Sequence, residues 1–322
     1  MADTRRIVGV SGLTLLRPAF AEMQKHKVGA NGFVFDAVTI GPASERAVLF
    51  LHGFPQTWYS WRHQLDAVAA AGFRGVAFDQ RGYSPGARPR RVEDYRVGSL
   101  VSDVVAVADA LGLDRFDLVG HDWGAMVAWA VAAHHPERVH TLTAVSVPHP
   151  RAFAAAFGGA GDGDEDQRQR SSYIDVFRAD GGVAERALLG EDGSGDGLRA
   201  MFDASGLPSD SDEVRAFVAA MIEPGALTAA LNWYRATEPH ALGDVGQITV
   251  PTLYVWSTQD VALGRTAAEA TVDWVTGSYR FEVFEGVSHW IPETAPGALS
   301  RALLDHLAAN PLPGPLLTGH PG

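Results

Sequence analysis

Short runs of β-branched and aromatic residues alternate along most of the chain with longer segments in which apolar residues recur every three or four positions. Such runs are typical of buried strands, and such segments are typical of helices that pack on one face. The predicted strands are AVLFLH (47–52), GVAFD (75–79), FDLVGH (116–121), HTLTAVSV (140–147), TLYVWS (252–257) and YRFEVF (279–284). The predicted helices between them are 58–71, 99–111, 124–135, 264–275 and 296–309. This alternation predicts a mostly parallel central sheet flanked by helices.

The first part of the sheet has a different pattern. Two strand-like segments, at 25–30 and 33–40, are separated by Asn31 and Gly32, a pair that is typical of a tight hairpin turn. The sheet is therefore expected to begin with two antiparallel strands.

The alternation stops after the sixth predicted strand and resumes at the strand TLYVWS. The interval contains helical patterns at 171–189, 196–204, 211–222 and 225–236, and two acidic, glycine-rich stretches that are flexible by composition, at 158–166 and 190–197. We therefore predict one discontinuous core domain, residues 1–147 and 246–322, that carries a helical insertion, residues 148–245.

Composition excludes several classes of function. The formal charge of −12 argues against nucleic acid as a partner, since phosphates require clustered basic residues. The chain has no cysteine, which excludes disulfides, thiolate catalysis and cysteine-ligated zinc. Since no H-E-x-x-H or comparable ligand spacing occurs, we predict no metal and no cofactor. No apolar run reaches the length of a membrane span.

The N-terminal sequence MADTRRIVGVSGLTLLRPAFA resembles a secretory signal in layout only. Glycine, serine and threonine dilute its apolar run, Asp3 lies in its basic region, and Arg17 interrupts the approach to the cleavage-like site. A cytoplasmic location is therefore the prediction. The sequence leaves the choice between a monomer and a homodimer open.

One motif, GHDWGA (120–125), places a carboxylate where a strand ends and a helix begins. The pattern G-x-D-x-G is that of the nucleophile elbow, G-x-S-x-G, with Asp122 in place of the serine. Gly120 and Gly124 permit a sharp turn, and the start of the following helix directs N–H groups and partial positive charge toward the carboxylate. Asp122 is therefore the candidate nucleophile.

Other candidate site residues also follow strands. The HGFP segment after the strand AVLFLH is expected to supply an oxyanion donor, the backbone N–H of Phe54, which would act with that of Trp123. His52 and Pro55 are expected to shape this turn. Asp260 and His289 follow later strands and give the chain order nucleophile, acid, base. The strand end SVPHP has no carboxylate, which favours Asp260 as the acid.

Four motifs carry a resemblance to a known family: HGFPQTWYSWRHQL (52–65), FDQRGY (78–83), GHDWGA and GVSHW (286–290). They resemble the α/β-hydrolase superfamily, and within it the soluble epoxide hydrolases, whose nucleophile is an aspartate. The resemblance covers nearly all of residues 25–147 and 246–309 and is weaker in the insertion. It implies the α/β-hydrolase fold, with residues 148–245 as a helical cap.

An aspartate nucleophile implies two chemical steps. Attack by Asp122 on a carbon of the epoxide forms an alkyl–enzyme ester, and water must then hydrolyse that ester. His289, oriented by Asp260, would deprotonate the water, and the N–H groups of Phe54 and Trp123 would hold the oxyanion.

Opening of an epoxide also requires a neutral O–H donor, usually a tyrosine in this family. The segment LNWYRA (231–236) resembles the cap segment that bears one such tyrosine, which makes Tyr234 a candidate. A second is expected just before the phenylalanine of VFRADGGVAE (176–185), where this chain has Val176. Tyr173, one helical turn earlier and on about the same face, is the candidate substitute.

Three alternatives remain at this point. A haloalkane dehalogenase shares the aspartate and GHDWG, but halide binding favours side-chain N–H donors, and Phe54 offers none, which leaves only the Trp123 indole. Hydrolysis of an ester or lactone stays open if Val176 marks a divergence. A non-catalytic ligand-binding protein is the alternative of another class. Because the nucleophile, acid, base and both oxyanion positions are filled, we favour an enzyme over a binding protein. The leading interpretation is an epoxide hydrolase that converts an apolar epoxide to a vicinal diol.

Overall fold

The computed structural model describes residues 22–158, 164–237 and 245–312, so the signal-like segment at 1–21 lies outside the described residues. An eight-stranded sheet in the order β1-β2-β4-β3-β5-β6-β7-β8 forms the centre of the molecule. Its strands are β1 (Gln24–Ala30), β2 (Phe33–Ile40), β3 (Ala47–Leu51), β4 (Arg74–Phe78), β5 (Phe116–His121), β6 (Val139–Val145), β7 (Thr252–Gln259) and β8 (Tyr279–Ser288). Every strand predicted from the sequence is present.

Strand directions follow the prediction. β2 is antiparallel to both β1 and β4, and each of the remaining neighbour pairs is parallel. The β1–β2 hairpin turns at Asn31 and Gly32, whose φ angles of 51° and 78° are those that such a turn requires. β3 and β5 are buried along their whole length, which explains the continuous apolar run of β3 and the mainly apolar sequence of β5. The buried Asp117 of β5 is paired with Arg46.

Helices cover both faces of the sheet. These helices are α1 (Arg62–Ala70), α2 (Val97–Ala110), α3 (Trp123–His134), α11 (Arg265–Ala270), α12 (Ile291–Thr294) and α13 (Pro296–Ala309). On one face α1 and α13 enclose a core that includes Leu65 and Leu303. On the other face α2 and α3 contribute to a larger core that includes Val104 and Trp129. This is the predicted arrangement of a mostly parallel sheet flanked by helices.

The segment between β6 and β7, called here the helical insertion, has more helices than the sequence predicted. Seven occur among its described residues: α4 (Pro150–Gly158), α5 (Glu165–Arg170), α6 (Tyr173–Arg178), α7 (Val183–Leu189), α8 (Asp196–Ala204), α9 (Asp212–Met221) and α10 (Ala226–Ala236). The single helix predicted at 171–189 was wrong, because Gly181 and Gly182 adopt φ angles of 74° and 71° and separate α6 from α7.

Helix α5 begins within a stretch that composition alone assigned to a flexible loop. Its N-cap, Asp164, accepts a hydrogen bond from the backbone N–H of Asp166 at 3.0 Å, and acidic residues in the first turn suit the helix dipole. The acidic residues of 158–166 therefore include the start of a helix. Helix α4 was also missed.

No single helix in the described ranges has the length and apolar character of a membrane span, although α9 and α10, which meet at an angle of 85°, reach that level when taken together.

Candidate active site

The predicted nucleophile lies at the sharp turn between β5 and α3. Asp122 has φ 51° and ψ −124°, a conformation that non-glycine residues rarely adopt. Side chains at the flanking glycines are excluded, because a Cβ on Gly124 would collide with the Leu51 carbonyl and one on Gly120 with the Gly124 carbonyl. The close approach of three backbone segments therefore requires the two glycines of the pattern G-x-D-x-G.

Two backbone N–H groups face the Asp122 carboxylate. The N–H of Phe54 donates to Oδ1 at 2.7 Å, and the N–H of Trp123 also bonds the carboxylate. Burial opposes ionisation, but His289 and these donors together hold the pKa of Asp122 below its usual value. The predicted oxyanion donors are thus beside the atom on which an oxyanion would form.

His52 and Pro55 support the turn rather than face the cavities. His52 is fully buried, its Nδ1 donates to the Gly53 carbonyl at 2.9 Å, and its Nε2 accepts the N–H of Gln80 at 3.1 Å. Burial lowers its pKa to about 4, so the ring is neutral. The Phe54–Pro55 peptide bond is cis. Neither residue is among the described residues that line the cavities beside Asp122.

Asp260, His289 and Asp122 form one buried row. His289 Nδ1 donates to Asp260 Oδ2 at 2.9 Å, and Nε2 lies 3.6 Å from Asp122 Oδ2. Burial favours the neutral ring, but the charge of Asp260 and hydrogen bonds to both carboxylates outweigh it and raise the pKa of His289 to about 10. The free site therefore holds an imidazolium between two carboxylates.

Ser146, which the sequence did not single out, completes the contacts of the acid. It follows β6 with a φ of 71°, and its hydroxyl donates to Asp260 Oδ2 at 2.7 Å and lies 2.9 Å from His289 Nδ1. Tyr254 donates to the Ser146 carbonyl at 2.8 Å. A strand end that lacks a carboxylate gave no signal of this role, because the serine acts through residues more than one hundred positions later.

His121, the residue before the nucleophile, holds the backbone of the base. Its Nε2 donates to the His289 carbonyl at 2.9 Å, and its Nδ1 lies 2.9 Å from Gln56 Oε1. Gln56 in turn donates to Glu293 at 2.7 Å. Sequence reasoning missed this support as well, since it joins three separate segments of the chain.

The two candidate tyrosines face Asp122 from the helical insertion. Tyr173 on α6 and Tyr234 on α10 have ring centroids 6.2 Å apart, and burial raises the pKa of both phenols, which keeps them protonated. Val176 points to solvent with 45% of its surface exposed. The expectation that positions 173 and 176 share a face of α6 was wrong: Tyr173 lines the cavities and Val176 does not, so the valine does not interrupt the pair of tyrosines.

Two cavities meet at these residues. One has a volume of about 340 Å³ and the other of about 70 Å³, and both are lined by Asp122, Tyr173, Tyr234 and Ala262. The larger is also lined by Phe54, Phe177, Met201 and Trp290, and the smaller by Met126, Phe153, Phe157 and Leu263. The arrangement can attack an apolar molecule from Asp122 while the tyrosines donate protons from the opposite side.

Comparison with known proteins agrees with this geometry. The family model for the alpha/beta hydrolase fold matches residues 46–296. The chain belongs to the α/β-hydrolase family. It is 33% identical over 320 residues to epoxide hydrolase A of Mycobacterium tuberculosis, a match that covers 87% of this chain and 96% of the relative. It is 32% identical over 283 residues to the AB hydrolase superfamily protein YfhM of Bacillus subtilis, again covering 87% and 96%.

Solved structures give the same result for the α/β-hydrolase fold. The crystal structure of epoxide hydrolase A from Mycobacterium thermoresistibile is similar to this chain with a TM-score of 0.77 and 29% sequence identity. That match covers 91% of this chain and 100% of the solved one. The similarity therefore includes the helical insertion as well as the sheet.

Proposed function

We propose that this α/β-hydrolase is an epoxide hydrolase, which converts an apolar epoxide to a vicinal diol through a covalent alkyl–aspartate ester. The similarity to epoxide hydrolase A supports the activity. The observation that carries the proposal is the position of two protonated phenols, Tyr173 and Tyr234, on the same cavities as a carboxylate that His289 contacts.

The first step is attack by Asp122 on a ring carbon. Because Oδ1 is engaged by the N–H of Phe54, Oδ2 is the oxygen that supplies the electron pair. The carbon–oxygen bond of the epoxide breaks as the ester bond forms, and the electrons of that bond pass to the ring oxygen. Tyr173 or Tyr234 donates a proton there, so that no free alkoxide is left in an apolar cavity.

The second step is hydrolysis of the ester, and the first step prepares its base. Esterification removes the negative charge of Asp122 beside the imidazole, so the pKa of His289 falls and the ring gives up its proton, which restores the phenol that protonated the ring oxygen. The neutral ring then takes a proton from a water whose hydroxide adds to the ester carbonyl, while Asp260 stabilises the imidazolium that forms. The tetrahedral intermediate collapses as the bond from the carbonyl carbon to the diol oxygen breaks, and that oxygen leaves with the proton of the added hydroxyl group. The N–H groups of Phe54 and Trp123 stabilise the tetrahedral oxyanion.

In this proposal the helical insertion is the cap of the enzyme, with residues 148–245 as its bounds. It supplies both phenols, and Met201 of α8 lines the larger cavity. A cap over the nucleophile limits the access of water to the ester.

The alternatives receive less support. A halide ion would need a second N–H donor beside the Trp123 indole, and the facing side chain is Phe54, which packs on Tyr234 with ring centroids 5.3 Å apart. Hydrolysis of an ester or lactone on this scaffold has no use for a paired phenol above the nucleophile. A binding protein has no use for a strained carboxylate at φ 51° in contact with a charged histidine.

A single turnover in oxygen-18 water tests the proposal. With enzyme in excess over a styrene-type epoxide, the label should enter Asp122, because water attacks the ester carbonyl and the diol oxygen comes from the carboxylate. Mass spectrometry of the peptide that contains residue 122 measures it. Freshly prepared Asp122→Asn, which cannot form the ester, is the control and should produce no diol. Label found in the diol, or halide release from bromoalkanes without any epoxide turnover, would refute the proposal.

A further inference from the structure

The loop that carries the candidate acid is held by hydrogen bonds of two kinds: within the loop, and to the helical insertion. It runs from the end of β7 at Gln259 to the start of α11 at Arg265. The Asp260 carboxylate is wrapped by this loop, since its Oδ1 accepts the N–H groups of Ala262 at 2.8 Å and Leu263 at 3.0 Å. Any displacement of these two peptides would therefore move the carboxylate.

One side chain of the insertion, Gln167 on α5, bonds the other side of the same loop. Its Nε2 donates to the Ala262 carbonyl at 2.9 Å, and its Oε1 accepts the N–H of Gly264 at 2.8 Å. The second Nε2 hydrogen goes to Ser171 Oγ at 2.8 Å. The amide is fully buried, and both of its hydrogens and its oxygen are used.

Helix α5 approaches this loop closely enough to fix it. A Cβ on Gly264 would lie 3.1 Å from Asp166 Oδ2 and 3.3 Å from Gln167 Oε1. Arg170, one turn after Asp166, donates to the carbonyl of Asp260 itself. The helix thus bonds the polar backbone groups of residues 260, 262 and 264, while the Asp260 side chain bonds His289.

We propose that Gln167 is a positioning residue for the catalytic acid: through the Ala262 and Gly264 peptides it holds Asp260 against His289, so that hydrolysis of the ester requires the cap to be seated on the loop. This inference rests on the proposed function. It assigns to α5 a role in the second chemical step, although none of its residues is among those that line the two cavities.

The two steps respond differently to loss of this contact. Ester formation uses Asp122 and a phenol, neither of which bonds to the 260–264 loop in the described contacts. Ester hydrolysis uses His289, whose orientation and basicity depend on Asp260. Small errors in the position of such a group have large effects on rate. Loss of the Gln167 amide is therefore expected to slow the second step and spare the first.

The test is single-turnover kinetics of Gln167→Met, which keeps the size of the side chain and removes its polar atoms. We expect hydrolysis of the ester to slow by roughly 10-fold or more and its formation to change by less than about two-fold. Intact-mass spectrometry would then detect the alkyl–enzyme accumulating. The matched control is Gln169→Ala, an exposed glutamine on the same helix, which should behave as the parent protein.

A second variant keeps the inference testable if Gln167→Met does not fold. Arg170→Met removes the bond to the Asp260 carbonyl and should produce the same selective slowing of hydrolysis. Equal slowing of both steps, or no slowing, in the folded variant would overturn the role given to α5. If the parent protein itself forms no ester with any epoxide, it is the proposed function that fails.

Discussion

In the proposed mechanism, individual side chains divide between the two chemical steps. Tyr173 and Tyr234 are assigned to ring opening, and His289 and Asp260 to hydrolysis. Asp122 belongs to both, because it is first a nucleophile and then the acyl group of an ester. Substitutions that isolate one set are therefore expected to leave the other step intact.

The phenols provide the first residue-scale prediction. Tyr234→Phe should slow ester formation by about 10²-fold or more, and Tyr173→Phe by about 10-fold or more, since each removes an O–H donor aimed at the leaving oxygen. Hydrolysis of an ester that has already formed should keep its rate. Stopped-flow measurement of tryptophan fluorescence, supported by quenched mass spectra, separates the two rates.

The control for the phenols is Val176→Ala. Its side chain faces solvent, so both rates should stay unchanged. If Val176→Ala impairs ring opening while Tyr173→Phe does not, the face of α6 that meets the substrate has been assigned incorrectly.

Residue-scale features were predictable where one position decides the chemistry. Asp122 follows from its glycine-bracketed motif, and His289 and Asp260 follow from their places after strands. Ser146 and Gln167 could not be predicted, because each acts by a hydrogen bond to a residue about a hundred positions away. Nothing in the local sequence distinguishes a serine or glutamine with such a partner from one on the surface.

At the scale of elements, the turn between β5 and α3 is tightly constrained by backbone contacts. The backbones of β3, β5 and α3 meet there without side chains between them. Glycine is thus required at position 124 because any side chain there would collide with neighbouring backbone atoms.

Gly124→Ala is accordingly expected to lower the free energy of unfolding by about 2 kcal/mol or more, because the added methyl group meets backbone atoms that cannot move independently. Chemical denaturation monitored by circular dichroism measures this change. Catalysis should fall as well, since Asp122 lies next to the displaced backbone.

Gly98→Ala on α2 is the matched control for this substitution. Its added methyl group would meet nothing within 4 Å. Alanine is the better helix former, so we expect no loss and a gain of up to about 1 kcal/mol. A similar destabilisation in both variants would show that steric contact at the turn is not the cause.

Element boundaries were predictable for the sheet and less so for the insertion. Short, mainly apolar runs identify β3, β5 and β7, because most of their residues are buried. In the insertion, Gly181 and Gly182 divide one apparent helix into two, and the capping of α5 by Asp164 stabilises a helix in a stretch whose composition indicates a loop. The ends of these helices are set by single residues and by packing, and neither can be deduced from the average composition of a segment.

Across the whole molecule, the candidate site is assembled from the carboxyl ends of neighbouring strands. Asp122 follows β5, Ser146 follows β6, Asp260 follows β7, and His289 follows β8. The sheet order places these strands side by side, so two carboxylates come to flank one imidazole. The negative charges of the two carboxylates raise the pKa of the imidazole between them.

Asp122→Asn is predicted to shift the titration of His289 to lower pH. In the parent protein the pKa of the ring is raised to about 10, and the asparagine removes one of the two charges responsible. We expect the imidazolium of the variant to lose its proton at a distinctly lower pH. Nuclear magnetic resonance of the ring nitrogens measures this titration. An unchanged titration would mean that Asp122 does not control the base.

The same shift makes stability depend on pH. A pKa raised above the unfolded value of 6.5 contributes stability that is complete below pH 6.5 and is lost as the pH rises toward 10. Asp122 and Asp260, whose pKa values are lowered, contribute stability that is lost as the solution becomes acidic. The contribution of this site to stability is therefore greatest below pH 6.5 and above the acidic range in which the two carboxylates take up protons.

β6 and β7 pair directly, with Leu142 opposite Thr252, although the entire helical insertion separates them along the chain. The pairing of these two strands therefore does not itself include any residue of the insertion. Recombination could graft a foreign lid there and alter which molecules are admitted. On the inference drawn for Gln167, such a chimera would hydrolyse the ester only if the grafted segment supplied an amide, or an equivalent group, that bonds the loop after Asp260.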